Sequence, residues 1–151
     1  MRVQDVMTSG VKTVEPTVPA EDAWNLMRLH RIHHLVVTDA NRVIGVLSDR
    51  DTGGRRGTAV RASNTVAELM TTPAIVVQPE ATVRQAANTL RGLSIGCLVV
   101  MKASKVVGIV TVSDLLELLG RGIDHGIVNR TRWTLNHRVP HRKVHGHPKA
   151  W

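Results

Sequence analysis

Two short segments of the chain share a pattern of residue types that is suited to holding a nucleotide. Residues 45–51 and 108–114 each run glycine, two aliphatic residues, a serine or threonine, two further residues and an aspartate. Each pattern falls where a predicted strand gives way to a helix, and unpaired backbone N–H groups at such a junction can hold a phosphate. An ionised carboxylate only accepts hydrogen bonds, so Asp51 or Asp114 can take both hydroxyls of a ribose. The hydroxyl of Ser48 or Thr111 can bind the sugar or the phosphate.

The same segments admit a purely structural interpretation, because serine and aspartate are favoured at the first position of a helix. Ser48, Asp49, Ser113 and Asp114 are all suitable N-cap residues. The motif alone therefore leaves capping and ligand binding open. Its presence at equivalent places in two halves of the chain favours the ligand.

The two segments belong to an internal duplication. An offset of 63 residues, without gaps, aligns the two halves of the chain. Ordinary residue frequencies would give about three identities over this length. The sixteen identical positions are, in the first copy, Val3, Met7, Thr8, Val14, Pro16, Ala23, Asn25, Arg28, Ile32, Leu35, Val36, Val37, Ala40, Val43, Gly45 and Asp51.

Each copy predicts the same elements around its motif. The first copy predicts a helical turn (3–7), an extended stretch (11–14), a helix (20–31) and a hairpin of two strands (34–38 and 43–47). The second copy predicts the same elements at 66–70, 74–77, 82–93, 96–101 and 106–110. A helix from Ser113 is predicted to follow the second motif and to end at Gly120. After the first motif, Gly53, Gly54 and Gly57 predict a frayed turn and a flexible linker to about Asn64. The organisation is therefore repeat 1 (1–57), linker (58–65), repeat 2 (66–120) and an extension (121–151).

Composition narrows the class of protein. The chain has 151 residues, one cysteine and 2% aromatic residues, namely three tryptophans. One cysteine excludes a disulfide framework and a multi-cysteine metal site, and it suits a reducing cytoplasm. The lack of a long apolar run or secretory signal predicts a soluble protein. Three tryptophans are too few for an aromatic platform for single-stranded nucleic acid. Without a catalytic carboxylate pair or Walker loop, we expect no enzyme activity.

The basic charge is concentrated at the end of the chain. Residues 121–151 hold seven Lys and Arg residues, one acid and five of the eight histidines. This extension can pack on a dimer mate, or bind nucleic acid or an acidic partner. The spacing of His141, His145 and His147 also suits a divalent metal.

The duplicated motif, with Met7–Thr8 and Met70–Thr71 and the strand at 35–39, resembles a tandem pair of CBS domains, named for cystathionine β-synthase and together called a Bateman module. The resemblance covers residues 3–119. It implies an α+β fold in which two pseudo-twofold-related βαββα repeats form one globular unit. It also implies two clefts that bind adenosyl ligands such as AMP, ADP, ATP or S-adenosylmethionine.

The resemblance implies that each cleft takes its motif from one repeat and an extended segment from the other. The residues of one cleft would be Thr111, Ser113, Asp114, Thr13 and Val14. The residues of the other would be Ser48, Arg50, Asp51, Val76 and Val77. The family often has proline where Val36 and Val99 stand, which departs from the pattern.

The two clefts are expected to differ. His33 and His34 match a family segment whose basic residues approach the phosphates, whereas the second repeat has Gly96 and Cys97 there. Arg50 adds a further cation to the first motif. The resemblance thus implies a phosphorylated nucleotide at Asp51, with the other cleft empty or holding a less charged ligand.

Four residues have less specific interpretations. His30 and His34 stand four apart, but a metal site is disfavoured because the helix is predicted to end before His34. Cys97 is expected to pack in a buried strand, and Trp24 in the core or a dimer interface. The favoured hypothesis is a stand-alone ligand sensor without a required cofactor, acting as a homodimer on an effector protein. The alternative is a nucleic-acid-binding dimer that uses residues 121–151.

Overall fold

The computed structural model describes residues 1–121. The predictions for the basic extension, namely the nucleic-acid arm and the metal site at its histidines, fall on residues that lie outside the described ones. None of the helices within residues 1–121 has the length and hydropathy needed to cross a bilayer.

The described chain is a mixed α+β structure in which one series of elements occurs twice. The first series is α1 (Val3–Val6), β1 (Thr13–Val14), α2 (Ala20–His30), β2 (His34–Asp39) and β3 (Arg42–Ser48). The second is α4 (Val66–Leu69), β4 (Val76–Val77), α5 (Val83–Leu93), β5 (Cys97–Lys102), β6 (Lys105–Thr111) and α6 (Val112–Arg121). The α+β class and the duplicated order of elements are thus confirmed. The sequence predicted that the helix ends before His34, and this is confirmed because His34 is the first residue of β2.

Each repeat forms a three-stranded sheet with the same order and register. The short first strand pairs in parallel with the second, which forms an antiparallel hairpin with the third. In the first hairpin a two-residue loop joins the strands, and both loop residues, Ala40 and Asn41, have positive φ (47° and 65°). This loop geometry matches the right-handed twist of the strands. The middle of β2 (Leu35, Val36 and Val37) is fully buried, which confirms the predicted buried strand.

The two repeats exchange backbone hydrogen bonds across a reciprocal seam. Thr8 pairs with Ile109 of β6, and Thr71 pairs with Val46 of β3. The two pairs are related by the 63-residue offset, which is the pattern a pseudo-twofold axis produces. An apolar cluster centred on Val36, Val46 and Val99 fills the space between the sheets. The repeats therefore form one globular unit, as the resemblance implied.

The first helix of each repeat packs in the core of the other. Val66 of α4 lies in the cluster formed by β2, β3 and α2, and Val3 of α1 lies in the corresponding cluster of the second repeat. Trp24, only 8% exposed, belongs to the first cluster, so its predicted core role is confirmed. Neither repeat completes its core without the other.

The segment predicted to be a flexible linker contains ordered helix instead. A 3-10 turn (Gly54–Arg56) is followed by α3 (Thr58–Ser63), which packs against α2. The glycines do prevent a helix directly after Asp51, because Gly53 and Gly54 adopt positive φ. Helix resumes at Thr58, where the buried Arg61 side chain fixes the segment to the core. The prediction of a flexible segment was wrong because it considered only local propensity.

Candidate functional site

Both copies of the motif form the same reciprocal pair of hydrogen bonds. Oδ2 of Asp51 accepts from the backbone N–H of Ser48 at 2.9 Å, and the N–H of Asp51 donates to Oγ of Ser48 at 3.1 Å. The corresponding distances between Thr111 and Asp114 are 2.9 and 3.2 Å. These contacts satisfy N–H groups that the end of the strand leaves unpaired. Each aspartate thus has a structural role, as the capping interpretation required, but the partner is the serine or threonine three residues earlier, and Ser113 and Asp114 lie within the first turn of α6 and not at its N-cap.

Capping does not use the whole carboxylate of Asp51. Its Oδ2 also accepts from Oγ1 of Thr71, at 3.4 Å, across the seam between the repeats. No hydrogen bond between residues 1–121 ends on its Oδ1. The side chain is half-buried, so one oxygen of a fixed carboxylate remains able to accept a hydroxyl.

The motif glycines allow the two repeats to approach each other closely and do not contribute to the position of the carboxylate. A Cβ on Gly45 would lie 2.8 Å from the carbonyl oxygen of Thr71 and 2.9 Å from Sδ of Met70. A Cβ on Gly108 would lie 2.8 Å from both the carbonyl oxygen of Thr8 and Sδ of Met7. The strand thus comes too close to the other repeat for any side chain at this position. The Met–Thr pair and the glycine of the duplicated pattern are two halves of one contact.

The surroundings of the two aspartates differ. After Asp51 the chain forms a loop, and an open groove of about 340 Å³ is lined by Asp49, Arg50, Gly53 and Gly54. The amides of Gly53 and Gly54 donate to the carbonyls of Arg50 and Asp49, both at 3.0 Å. In the second repeat α6 begins directly at Val112, so Ser113 and Asp114 stand in the first helical turn. Gly53 and Gly54 therefore interrupt the helix, and the chain after Asp51 forms a loop that lines a groove.

The two histidines beside the first motif take different roles. Nδ1 of the exposed His33 lies 2.9 Å from Oδ2 of Asp49, so this side chain is paired with a carboxylate. His34 is half-buried, and burial lowers its pKa although the Asp49 and Asp51 carboxylates act in the opposite direction. A lowered pKa leaves His34 neutral at pH 7, which weakens its predicted role as a phosphate-binding cation.

Cys97 stands where the first repeat has His34. Burial, with a smaller contribution from the Asp114 carboxylate, raises the pKa of its thiol to about 12. It packs against the apolar cluster between the sheets, as the sequence predicted. With Gly96 before it, the second repeat presents no basic side chain at this place.

Each extended segment follows a threonine that pairs with the third strand of the other repeat, Thr8 with Ile109 and Thr71 with Val46. Thr71, which contacts Asp51, stands five residues before Val76 in the chain, and Val76 is 48% exposed in β4. Val77 is half-buried beside it. In the equivalent stretch, Thr13 is exposed and Val14 is buried. Sequence reasoning missed the contact of Thr71, although its identity with Thr8 in the repeat alignment was the available signal.

Comparison with known proteins agrees with this geometry. A family model described as the CBS domain matches residues 3–51 and 66–121. The CBS domain-containing protein YhcV of Bacillus subtilis is 31% identical over 114 residues, which are 75% of this chain and 81% of that protein. The crystal structure of the CBS-domain containing protein ATU1752 from Agrobacterium tumefaciens has a TM-score of 0.68 and 26% identity, and covers 79% of this chain and 99% of its own.

A further solved structure shares the fold. The CBS domain pair of protein MJ0100, crystallised with 5′-methylthioadenosine and S-adenosyl-L-methionine, has a TM-score of 0.72 and 24% identity. The alignment covers 80% of this chain and 97% of that one. The family match over both repeats, the 31% identity to YhcV and the reciprocal seam lead to one conclusion. This chain belongs to the CBS domain family, and residues 1–121 form a tandem pair of its domains.

Proposed function

We propose that this chain is a regulatory module that senses an adenosyl ligand, of the AMP, ADP and ATP class, at the seam between its repeats. The observation that carries the proposal is the Asp51 carboxylate. Its Oδ2 is held by Ser48 and by Thr71 of the other repeat, and no hydrogen bond within residues 1–121 ends on its Oδ1. The residues that flank Asp51 in the chain, Asp49, Arg50, Gly53 and Gly54, line an open groove. Such a preorganised carboxylate suits the hydroxyls of a ribose, because it loses little conformational freedom when the sugar binds.

The charges near Asp51 favour a phosphorylated ligand there. Arg50 lines the groove, and one oxygen of the nearby Asp49 carboxylate is already occupied by Nδ1 of His33 at 2.9 Å. In the second repeat α6 begins directly at Val112 without such a loop, and Ser113 stands at the position of Arg50, so this cation is missing there. We therefore assign the phosphorylated nucleotide to Asp51 and a less charged adenosyl ligand, or none, to Asp114. The complex of MJ0100 supports the class of ligand, since that protein has the same fold.

The proposed role is binding and not catalysis. A change in packing on binding would be read by a second copy of the chain or by an effector protein. Its size is limited by the difference in ligand affinity between the two states. The homodimer and the effector both remain parts of this proposal.

A thermal-shift screen of the full chain with AMP, ADP, ATP, NAD and S-adenosylmethionine tests the proposal. A ligand at 100 times its Kd adds about 2.7 kcal/mol of stability, which raises Tm by roughly 5–10 °C for a domain of this size. Asp51→Asn keeps an oxygen for the cap and removes the charge, so it should abolish the shift from the phosphorylated ligand. Asp114→Asn is the matched control, because it weakens the same cap in the other repeat. If neither variant changes the response of a binding ligand, the assignment of the aspartates is wrong.

The concentration of basic residues in 121–151 favours a second candidate function, the binding of nucleic acid. Binding of this kind releases counterions and falls steeply with salt. Titration of a labelled DNA duplex at several salt concentrations tests it on the full chain. Affinity that is undetectable at low salt would exclude it, and adenosyl binding should change little over the same range.

A further inference from the structure

The buried guanidinium of Arg61 lies at the junction of two helices. Arg61 belongs to α3 and is 4% exposed. Its Nε donates to Oε2 of Glu21 in α2 at 2.8 Å, and its Cζ lies 4.3 Å from the ring centroid of Trp24. A buried cation is stable only with partners of this kind. These two contacts use the Nε–H donor and a face of the guanidinium group.

The remaining hydrogen bonds of Arg61 go to the Asp51 loop, defined as residues 49–54. Nη1 donates to the carbonyl of Thr52 at 3.1 Å and also to the carbonyl of Gly54. Thr52 is fully buried, and its hydroxyl donates to the carbonyl of Asp49 at 2.7 Å. A planar guanidinium fixes several acceptors at set angles, which an ammonium cannot do. The guanidinium, on the buried side of the Asp51 loop, therefore fixes the backbone of the loop that lines the groove.

The Asp51 loop also has internal hydrogen bonds, but its backbone is costly to order. Gly53 and Gly54 both adopt positive φ, and glycine loses more backbone entropy on ordering than any other residue. Of the loop residues, only Thr52 is buried. In the second repeat α6 follows β6 without a loop, so its motif needs no such anchor. The conformation of the groove thus depends on a side chain that lies outside both copies of the motif.

We propose that Arg61 is a positioning residue of the Asp51 site, which sets the conformation of the Asp51 loop and thereby the affinity for a ligand at Asp51. Arg61 is directed to the loop carbonyls and to Glu21, so it acts through the loop and not by contact with the ligand. The effect on the loop follows from the hydrogen bonds of Arg61 to Thr52 and Gly54, whereas the effect on affinity rests on the proposed function. Substitution of Arg61 should weaken one site and leave the Asp114 site unchanged.

Amide hydrogen exchange of the full chain tests the effect on the loop without any ligand. In Arg61→Gln the amides of Gly53 and Gly54 should exchange about tenfold faster or more, because lost hydrogen bonds from a charged group loosen the loop. Arg61→Lys should recover part of the protection, since an ammonium can still donate to one carbonyl. Glu21→Gln is the matched control: it removes the ion pair but keeps the bonds to the loop, so it should lower Tm and leave loop exchange near wild type.

Calorimetric titration with ATP tests the effect on affinity in the same variants. Arg61→Gln should weaken ATP binding about tenfold, and Glu21→Gln by less than about twofold. Unchanged loop exchange in Arg61→Gln would overturn the proposal, and so would faster exchange that extends equally to β6 and α6. A loosened loop with unchanged ATP affinity would also overturn it. If wild type binds none of the adenosyl probes, the proposed function fails, while the exchange data still decide whether Arg61 fixes the loop.

Discussion

Replacing either motif glycine by alanine should destabilise the protein strongly, although both glycines lie in ordinary strands. The added Cβ of Gly45→Ala would stand 2.8 Å from the carbonyl oxygen of Thr71, and that of Gly108→Ala 2.8 Å from the carbonyl oxygen of Thr8. An ordinary contact begins at 3.4 Å. Each neighbour is backbone, so it cannot avoid the methyl group by changing rotamer.

The size of the effect follows from the bonds that hold these carbonyls. Thr71 donates to the carbonyl of Val46 at 2.8 Å and accepts from the N–H of Val46 at 3.1 Å. A shift of about half an ångström weakens both bonds, at about 0.5–1.5 kcal/mol each, and overpacking adds about 1–3 kcal/mol. We expect a loss of roughly 2–6 kcal/mol, which lowers Tm by about 4–24 °C for a domain of this size.

Thermal or urea unfolding of the two variants measures this loss. Gly92→Ala is the control, because no atom lies within 4 Å of its added Cβ and it stands in α5. That change should leave stability equal or raise it by about 0.5–1 kcal/mol. Gly45→Ala and Gly108→Ala proteins that melt within about a degree of wild type would show that the seam does not require glycine.

Three further predictions concern single groups. The thiol of Cys97, with a pKa of about 12, should resist iodoacetamide at pH 8 until denaturant is added, and rapid labelling of the native protein, seen by mass spectrometry, would contradict the burial. Burial lowers the pKa of His34 from 6.5, so the unfolded chain binds the extra proton. Stability should therefore fall as pH drops below 6.5, and His34→Gln should flatten Tm between pH 7 and 5. Changing Ala40 to asparagine together with Asn41→Gly should raise stability by about 0.5 kcal/mol in urea unfolding, because Asn-Gly suits a loop with two positive φ angles.

The elements of the fold are predictable because the repeat alignment and local patterns agree. The boundaries of α2, β2 and the second hairpin fall within about one or two residues of the sequence prediction. Helix α3 was missed, since three glycines dominate the local propensity. The contact that orders it, from Arg61 to Glu21, joins residues that are 40 positions apart.

The candidate site also has features that local sequence predicts and features that only the folded chain shows. The position of Asp51 and Asp114 at the end of a strand was predictable from the motif. Three features depend on the folded chain: the pairing of His33 with Asp49, the hydrogen bond from Thr71, and the reason for the glycine in the motif. Local patterns identify which residues form the turn, but they do not show what the other repeat brings against it.

The duplicated motif has a sufficient structural reason in the reciprocal cap and the seam contact. Because the cap and the seam contact together account for the glycine, the hydroxyl residue and the aspartate, folding alone explains why the motif occurs twice. The shared features therefore cannot discriminate a binding site from a structural turn. The features that differ within residues 1–121 are those of the first repeat: the groove, Arg50 and the hydrogen bonds from Arg61 to the Asp51 loop. Binding of a ligand that depends on Asp51 and not on Asp114 would thus show that the first motif has a binding function in addition to its structural role.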